Sequence, residues 1–276
     1  MTKKRKLKKS VKIVLGIVGI LVILLIALFL LLRKPKEETV VEVTSTPTTT
    51  STPTPTPTPH PYLLSEEKIQ ELHKEYDEDK QINDEIVGVL YFNSGIIHQP
   101  VVYDPTNNKY LRTDWRTMNY DPVGTAFMDF RNDLSADDQN TIIYGHYVYE
   151  SYSSDRTLMF TPLELFRDEK NYEENKYLVF VGEDEIRYYE VAVAFDCPLI
   201  TIDGLQYTLD DLQYNLIDYD SDYFTTYKNT LKEYAFYDTG IDLEQDDYLL
   251  TLQTCVEGQT DHRLVIIARE IKREKI

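Results

Sequence analysis

The sequence predicts a mainly β domain with flanking helices, in which eight short strands form a barrel. Short runs of β-branched and aromatic residues recur over about 190 residues from position 86 onward. Turn-forming sequences, such as Asp104-Pro105 and Gly182-Glu183, separate these runs. Helical patterns precede the first run and lie between the sixth and seventh. This many short strands in a region of this size is typical of a closed or nearly closed barrel.

The elements are expected in the following order. Ser65 can cap an N-terminal helix in which Ile69, Leu72 and Tyr76 form an apolar stripe. A long helix before the seventh strand, ending by Gly240, is predicted from aromatic and aliphatic residues at helical spacing: Tyr223, Tyr227, Leu231 and Tyr234. Core packing is the favoured role of its tyrosines, and substrate contact is the alternative. The predicted strands are Ile86–Phe92, Ile96–Tyr103, Gly124–Phe130, Thr141–Tyr144, Tyr177–Val181, Ile186–Ala194, Tyr248–Leu252 and Leu264–Ala268.

Three segments with no predicted core precede this domain, which we place at residues 62–276. Residues 1–12 form a basic tail, and residues 13–32 contain no charge, so as a helix they span about 30 Å, the thickness of a bilayer core. Seven basic residues precede this apolar run and three follow it, which predicts a single-pass type II anchor with an extracellular domain. A cleavable signal peptide is the alternative, disfavoured by the length of the run. Residues 33–61 are rich in Thr and Pro and predict an extended spacer.

The charge distribution excludes some classes of partner. The chain has a formal charge of −18, but its first 36 residues hold ten of the 29 basic residues and no acid. The remainder therefore has 19 basic and 47 acidic residues, a surface that repels nucleic acid and anionic lipid. Asp218, Asp220 and Asp222 resemble the start of a calcium loop, but Tyr223 replaces its glycine and Asn229 its glutamate, so no metal site is predicted.

A thiol and a guanidinium are predicted to share one sheet edge. The predicted strand Tyr248–Leu252 delivers Cys255 to a loop, and Arg263 immediately precedes the next predicted strand, Leu264–Ala268. If the two strands pair, a permanent cation lies beside the sulfur, which favours thiolate and can stabilise an oxyanion. His146, at the end of the run Thr141–Tyr144, is the candidate acid and base.

Each of these residues has an alternative interpretation. Cys255 could form a disulfide with Cys197, although Cys197 lies in an apolar run typical of a buried thiol. His262 is the rival base, but adjacent strand residues point to opposite faces, so it should face away if Arg263 faces the thiol. Arg263 could also be an ordinary surface arginine.

The segments around these residues resemble those of the class B sortases, which are cysteine transpeptidases that attach proteins to the cell wall of Gram-positive bacteria. The most specific segments are Tyr144-Gly145-His146 and Thr251-Leu252-Gln253-Thr254-Cys255. The resemblance covers residues 65 to about 271 in family order. Its segments are Ile82–Gly88, Pro100–Val102, Lys109–Leu111, Phe127–Asn132, Asn140–His146, Tyr237–Gly240 and Thr251–Cys255.

The resemblance implies a sortase-type barrel with His146, Cys255 and Arg263 as catalytic residues and no cofactor. It implies cleavage after the threonine of a C-terminal sorting motif, a thioacyl intermediate, and transfer to lipid II or a peptidoglycan cross-bridge amine. Leu111, Gln253 and Thr254 are the candidate substrate-binding residues, with a core position as the alternative for Leu111.

Two features depart from the family pattern. Gln253 replaces a serine found in several members, and the loop from cysteine to arginine is shorter than in some members; both leave the motif open. A hydrolytic cysteine protease and a non-catalytic envelope binding module are the rival functions.

Overall fold

The computed structural model describes residues 60–133 and 137–276. The predicted basic tail, the apolar segment 13–32 and the spacer up to residue 59 lie outside the described residues. Within the described ranges, none of the helices combines the length and the apolar character needed to span a bilayer.

The predicted N-terminal helix is confirmed as α1 (Glu66–Ile82). The Ser65 side chain caps it by accepting a hydrogen bond from the Lys68 backbone N–H at 3.2 Å. Leu72 and Tyr76 of this helix are buried, and they pack against strands on one side of the barrel. The helix thus covers the outside of the barrel with its apolar stripe.

The predicted eight-stranded barrel is also confirmed. Its strands follow the order β1-β2-β3-β4-β9-β10-β6-β5, and β5 pairs with β1 to close it. Two further strands, β7 and β8, form a separate hairpin. The bounds are β1 Ile86–Phe92, β2 His98–Tyr103, β3 Ala126–Met128, β4 Asn140–Tyr144, β5 Tyr177–Val181, β6 Glu185–Pro198, β7 Ile200–Ile202, β8 Leu205–Tyr207, β9 Leu249–Val256 and β10 Gln259–Lys275.

The placement of Cys255 in a loop was wrong. Strand β9 continues to Val256, so the cysteine lies within the strand. The reason is the tight connection at Glu257-Gly258, in which Gly258 has a φ of 75° and lets β9 and β10 extend as one hairpin. Strand β10 is correspondingly longer than predicted.

The segment between β6 and β9 holds the predicted long helix and the β7–β8 hairpin, which the sequence analysis did not identify. Helix α3 (Ser221–Tyr234) is capped by Asp220 and ends before the predicted stop at Gly240. Phe224, Tyr227 and Leu231 are buried from it, as expected for a packing face. The remaining helical segments are short: α2 Tyr172–Asn175 and the 3₁₀ turns Lys109–Arg112, Thr161–Arg167, Glu169–Asn171 and Asp210–Leu212.

Side chains alternate across β9 and thereby divide it into two faces. Leu250 and Leu252 belong to the main core inside the barrel. Leu249 belongs instead to a second core, formed between the barrel's outer surface and the segment that contains α3. Because the period of a strand is two, Gln253 and Cys255 share the outer face with Leu249.

Candidate active site

Cys255 and Arg263 lie directly opposite each other on neighbouring strands. They are partners in the antiparallel register of β9 and β10, which brings their Cα atoms to about 5 Å. Both side chains are partly exposed. The predicted juxtaposition of thiol and guanidinium is therefore present, on the outer face of the barrel rather than in a loop.

The guanidinium of Arg263 is held by neutral acceptors. Its Nη1 donates to the backbone oxygens of Thr260 at 3.1 Å and His262 at 2.8 Å. Its Nη2 donates to Oε1 of Gln206 at 2.6 Å. Within residues 60–133 and 137–276, no carboxylate forms a salt bridge with Arg263, so the charge stays available to a thiolate or an oxyanion.

His146 follows β4, the strand that pairs with β9 on the side away from β10. Tyr144 is the parallel partner of Gln253, and the Gly145 N–H donates to the Gln253 oxygen at 3.1 Å. Continuing this register by two residues brings His146 alongside Cys255 on the same face. Strands β9 and β10 and the residues that follow β4 thus bring cysteine, arginine and histidine to one end of the barrel.

The imidazole of His146 is oriented by a backbone carbonyl and not by the cysteine. Its Nε2 lies 2.6 Å from the oxygen of Leu111. Because a carbonyl can only accept, we assign a proton to Nε2. Burial lowers the pKa of His146, and the bond to Leu111 offsets part of that effect. The neutral ring therefore predominates near pH 7.

Two glycines give this arrangement its close packing. A Cβ on Gly145 would lie 2.4 Å from the ring of Phe160, which is fully buried and whose N–H donates to the His146 oxygen at 3.1 Å. Gly124 has a φ of 66°, and a Cβ there would lie 2.7 Å from the Leu111 oxygen. Glycine is needed at both positions because backbone and ring approach too closely for any side chain.

The three candidate substrate-binding residues differ in their surroundings. The Leu111 side chain is 36 % exposed, at the position whose carbonyl orients His146. Oε1 of Gln253 accepts from the hydroxyl of buried Tyr214 at 2.5 Å. Thr254 is buried and shares the inner face with Leu252. A substrate contact by Thr254 would therefore use its backbone, and all three roles stay predictions.

The geometry argues against the disulfide and against His262 as the base. Both cysteines are free. Cys197 is fully buried and pairs with Arg263 from the opposite side, on β6, so it lies two strands from Cys255, about 10 Å away and too far for a disulfide. Burial raises the pKa of Cys197 to about 12. His262 has its Nδ1 at 2.9 Å from Asp261 and alternates with Arg263 on β10.

Further residues around the site were missed by the sequence analysis. Glu257 accepts from the Tyr147 hydroxyl at 2.9 Å and from the Glu150 N–H at 3.3 Å, tying the segment after the histidine to the turn after the cysteine. Burial raises the pKa of Tyr149, and Cys255 raises it further through its charge and a hydrogen bond. No sequence motif marks these contacts, because they join residues about 110 positions apart.

Gln206, which lies on the β7–β8 hairpin and contacts Arg263, was also missed, but the sequence does carry a signal for its hairpin. Asp203-Gly204 between two apolar runs is a strong two-residue hairpin signal, and it would have identified the hairpin. Thr201 and Gln206 are paired across it.

Comparison with known proteins points to one family. No family model matches the sequence. The chain is 28% identical over 205 residues to sortase B of Staphylococcus aureus, covering 74% of this chain and 77% of that protein. It is 25% identical over 189 residues to sortase B of Listeria monocytogenes, covering 67% and 68%. The solved Staphylococcus aureus sortase B–substrate complex is similar in fold, with a TM-score of 0.61, 26% identity, and coverage of 75% of this chain and 89% of that one.

The closed barrel and these similarities define a sortase-type cysteine transpeptidase. Both of these relatives are sortase B proteins, and each similarity covers about two thirds or more of this chain. These similarities in sequence and fold support the recognition of the chain as a class B sortase.

Proposed function

We propose that this protein cleaves a C-terminal sorting motif after its threonine and transfers the bound protein to a cell-wall amine, using Cys255, His146 and Arg263. The observation that carries the proposal is the direct pairing of Cys255 with Arg263, next to strand β4, which His146 follows by two residues. As the proposed nucleophile, cation and proton carrier, these three residues would share one face, which is the arrangement that acyl transfer needs.

In the first half-reaction, the Cys255 thiolate attacks the threonine carbonyl of the motif. The C–S bond forms as the carbonyl electrons move to oxygen, and Arg263 stabilises that oxyanion together with a backbone N–H. Collapse of the intermediate breaks the C–N bond, and the His146 imidazolium protonates the departing amine. The products are a thioacyl enzyme, neutral His146 and the released C-terminal fragment.

In the second half-reaction, an amine attacks the thioester. His146, now neutral, takes the proton from the amine, and the C–S bond breaks to regenerate the Cys255 thiolate. The lowered pKa of His146 means that only a minority of molecules hold imidazolium at neutral pH. Turnover therefore depends on a small population with thiolate and imidazolium together, which agrees with the reverse protonation that the family resemblance implies.

The substrate side of the proposal rests on an analogy and on local geometry. A sortase B of Staphylococcus aureus has been solved as a substrate complex. In this chain, the exposed side chain of Leu111 and the Gln253 amide flank the same end of the barrel as His146 and Cys255. The hydrogen bond from the buried Tyr214 hydroxyl holds the Gln253 side chain, so the proposed contact of Gln253 with the motif would use its remaining amide N–H groups.

The proposed location of the enzyme rests on the sequence. The apolar segment 13–32, preceded by seven basic residues, is proposed to anchor the chain in the cell membrane with its catalytic domain outside. The Thr/Pro-rich spacer is proposed to hold the domain away from the membrane, toward lipid II or cross-bridge amines.

The proposal is tested with a library of quenched sorting-motif peptides, incubated with the full chain with and without triglycine. Cys255→Ala provides the blank. The proposal predicts cleavage that depends on Cys255 and a peptide ligated to triglycine. Cleavage that yields only hydrolysed peptide at saturating triglycine would favour the hydrolytic alternative.

A further inference from the structure

We propose that Gln206 is a positioning residue for Arg263, which it holds in place without neutralising its charge. The inference rests on the proposed catalytic role of Arg263. Gln206 lies on a hairpin outside the barrel, 57 positions from the arginine in sequence.

The amide of Gln206 bridges the guanidinium and the backbone near the start of β10. Its Oε1 accepts from Arg263 Nη2 at 2.6 Å, and its Nε2 donates to the Thr260 oxygen at 2.8 Å. The two partners fix which end of the amide is which, since the guanidinium can only donate and the carbonyl can only accept. The same Thr260 oxygen also accepts from Arg263 Nη1 at 3.1 Å, so the three groups form a closed ring of hydrogen bonds.

A count of donors shows what this ring leaves for the substrate. A guanidinium has five N–H groups. Three bonds within the described residues use Nη1 and one hydrogen of Nη2. The Nε–H and the second Nη2–H remain, and these can meet an oxyanion formed on the substrate of Cys255. Gln206 thus limits how the guanidinium can rotate while leaving two donors for the reaction.

The neutrality of Gln206 matters as much as its position. A glutamate could accept the same hydrogen bond, but its charge would compensate the guanidinium beside the thiol. Opposite charges at contact distance favour each other's charged forms and weaken the field felt by a third group. With glutamine, Arg263 is fixed in orientation and keeps its full charge for an oxyanion formed at Cys255.

The hairpin itself is held near the site by few contacts. The Leu199 N–H, just before β7, donates to the Asp261 oxygen at 2.7 Å. The face opposite Gln206 is apolar and exposed, consisting of Ile200, Ile202, Leu205 and Tyr207. The hairpin therefore adds little to the barrel's core, and changing Gln206 should act on Arg263 rather than on global stability.

The test compares Gln206→Ala and Gln206→Glu with Thr201→Ala in the full chain. Thr201 is the matched control, because it pairs with Gln206 across the hairpin and its side chain makes no hydrogen bond among residues 60–133 and 137–276. Two quantities are measured: kcat and KM for ligation of the motif peptide to triglycine, and the pH dependence of Cys255 alkylation by iodoacetamide. Thermal unfolding is recorded for every variant.

The inference predicts different effects for the two substitutions. Gln206→Ala frees the guanidinium and lowers kcat about fivefold with little change in KM and none in the alkylation midpoint. Gln206→Glu keeps the bond, lowers kcat about tenfold or more, and raises the alkylation midpoint by about half a pH unit. Thr201→Ala matches the wild type in every measurement.

Wild-type kcat and alkylation profiles in both Gln206 variants would overturn the inference. So would equal losses in Gln206→Ala and Thr201→Ala, which would indicate a merely structural role for the hairpin. Arg263→Ala separates this failure from failure of the proposed function. If Arg263→Ala is inactive while the Gln206 variants are normal, only the positioning role is refuted. If Arg263→Ala is fully active, both proposals fail.

Discussion

The packing of Gly145 on Phe160 predicts that one added methyl group disables the enzyme without unfolding it. In the wild type, an added Cβ would lie 2.4 Å from the buried ring, where ordinary contacts begin near 3.4 Å. Ring and backbone must therefore separate by about 1 Å. His146 is the next residue, and its own oxygen accepts from the Phe160 N–H, so the histidine moves with them.

The magnitude follows from these distances. Overpacking of this kind costs about 1–3 kcal/mol of unfolding free energy, which a barrel with this much buried surface should tolerate. A displacement of about 1 Å in a catalytic group can lower the rate by about a hundredfold. We therefore expect Gly145→Ala to stay folded, with kcat/KM for motif-peptide ligation reduced by about two orders of magnitude.

The assay measures ligation to triglycine and urea unfolding for Gly145→Ala, with Gly182→Ala as the matched control. A Cβ on Gly182 meets nothing closer than the Glu185 oxygen at 3.8 Å, so the control should retain activity and stability. Adding Phe160→Leu to Gly145→Ala should restore part of the rate by making room for the methyl group. Wild-type kcat/KM in Gly145→Ala would refute the reasoning.

Three further predictions concern charge, reactivity and stability. Burial holds the pKa of His146 in the folded protein below its usual value of 6.5, so the unfolded chain binds a proton more readily. The folded protein should therefore lose stability as the pH falls from 6.5 through that lowered pKa. Urea titrations at several pH values should show this loss, and His146→Gln should remove it. Iodoacetamide at about pH 8 should label one thiol per native chain, because Cys197 is buried with a pKa of about 12. Cys255→Ala should abolish the label. Two labelled thiols in the native wild type would contradict this prediction. Asn140 is fully buried and donates to two backbone oxygens of the segment before α3, at 3.0 and 2.8 Å. Asn140→Ala should therefore lower the free energy of unfolding by about 3–5 kcal/mol, whereas Thr251→Val, which removes only one 2.8 Å bond to Asn140, should lower it by about 1–2 kcal/mol. Equal losses in the two variants would refute the assignment.

Local patterns predicted those parts of the fold that depend on burial. β1 and β5 have the predicted bounds, because both are almost wholly buried and read as continuous apolar runs. The second half of β10 was not predicted, because residues 269–275 are mostly charged. They form strand because they pair with the start of β6, including Arg269 with Glu190, and this partner lies about 80 residues away.

The site shows the same division. The Cys255–Arg263 pairing could be predicted because hairpin neighbours meet through a short connection. The Leu111 carbonyl that orients His146 could not, since 35 residues separate them and a backbone oxygen has no sequence signature. The environment of Gln206 combines both cases. The Asp203-Gly204 turn can be predicted from the sequence, but the contact of Gln206 with Arg263 depends on how the hairpin packs against the barrel.

The most direct test of the central claim is the mass of the intact full chain after mixing with a sorting-motif peptide in the absence of amine. We predict an adduct equal to the acyl fragment ending in threonine, located on Cys255, absent in Cys255→Ala, and discharged to a ligated peptide when triglycine is added. Peptide cleavage by Cys255→Ala at the wild-type rate, or an adduct on any other residue, would contradict it.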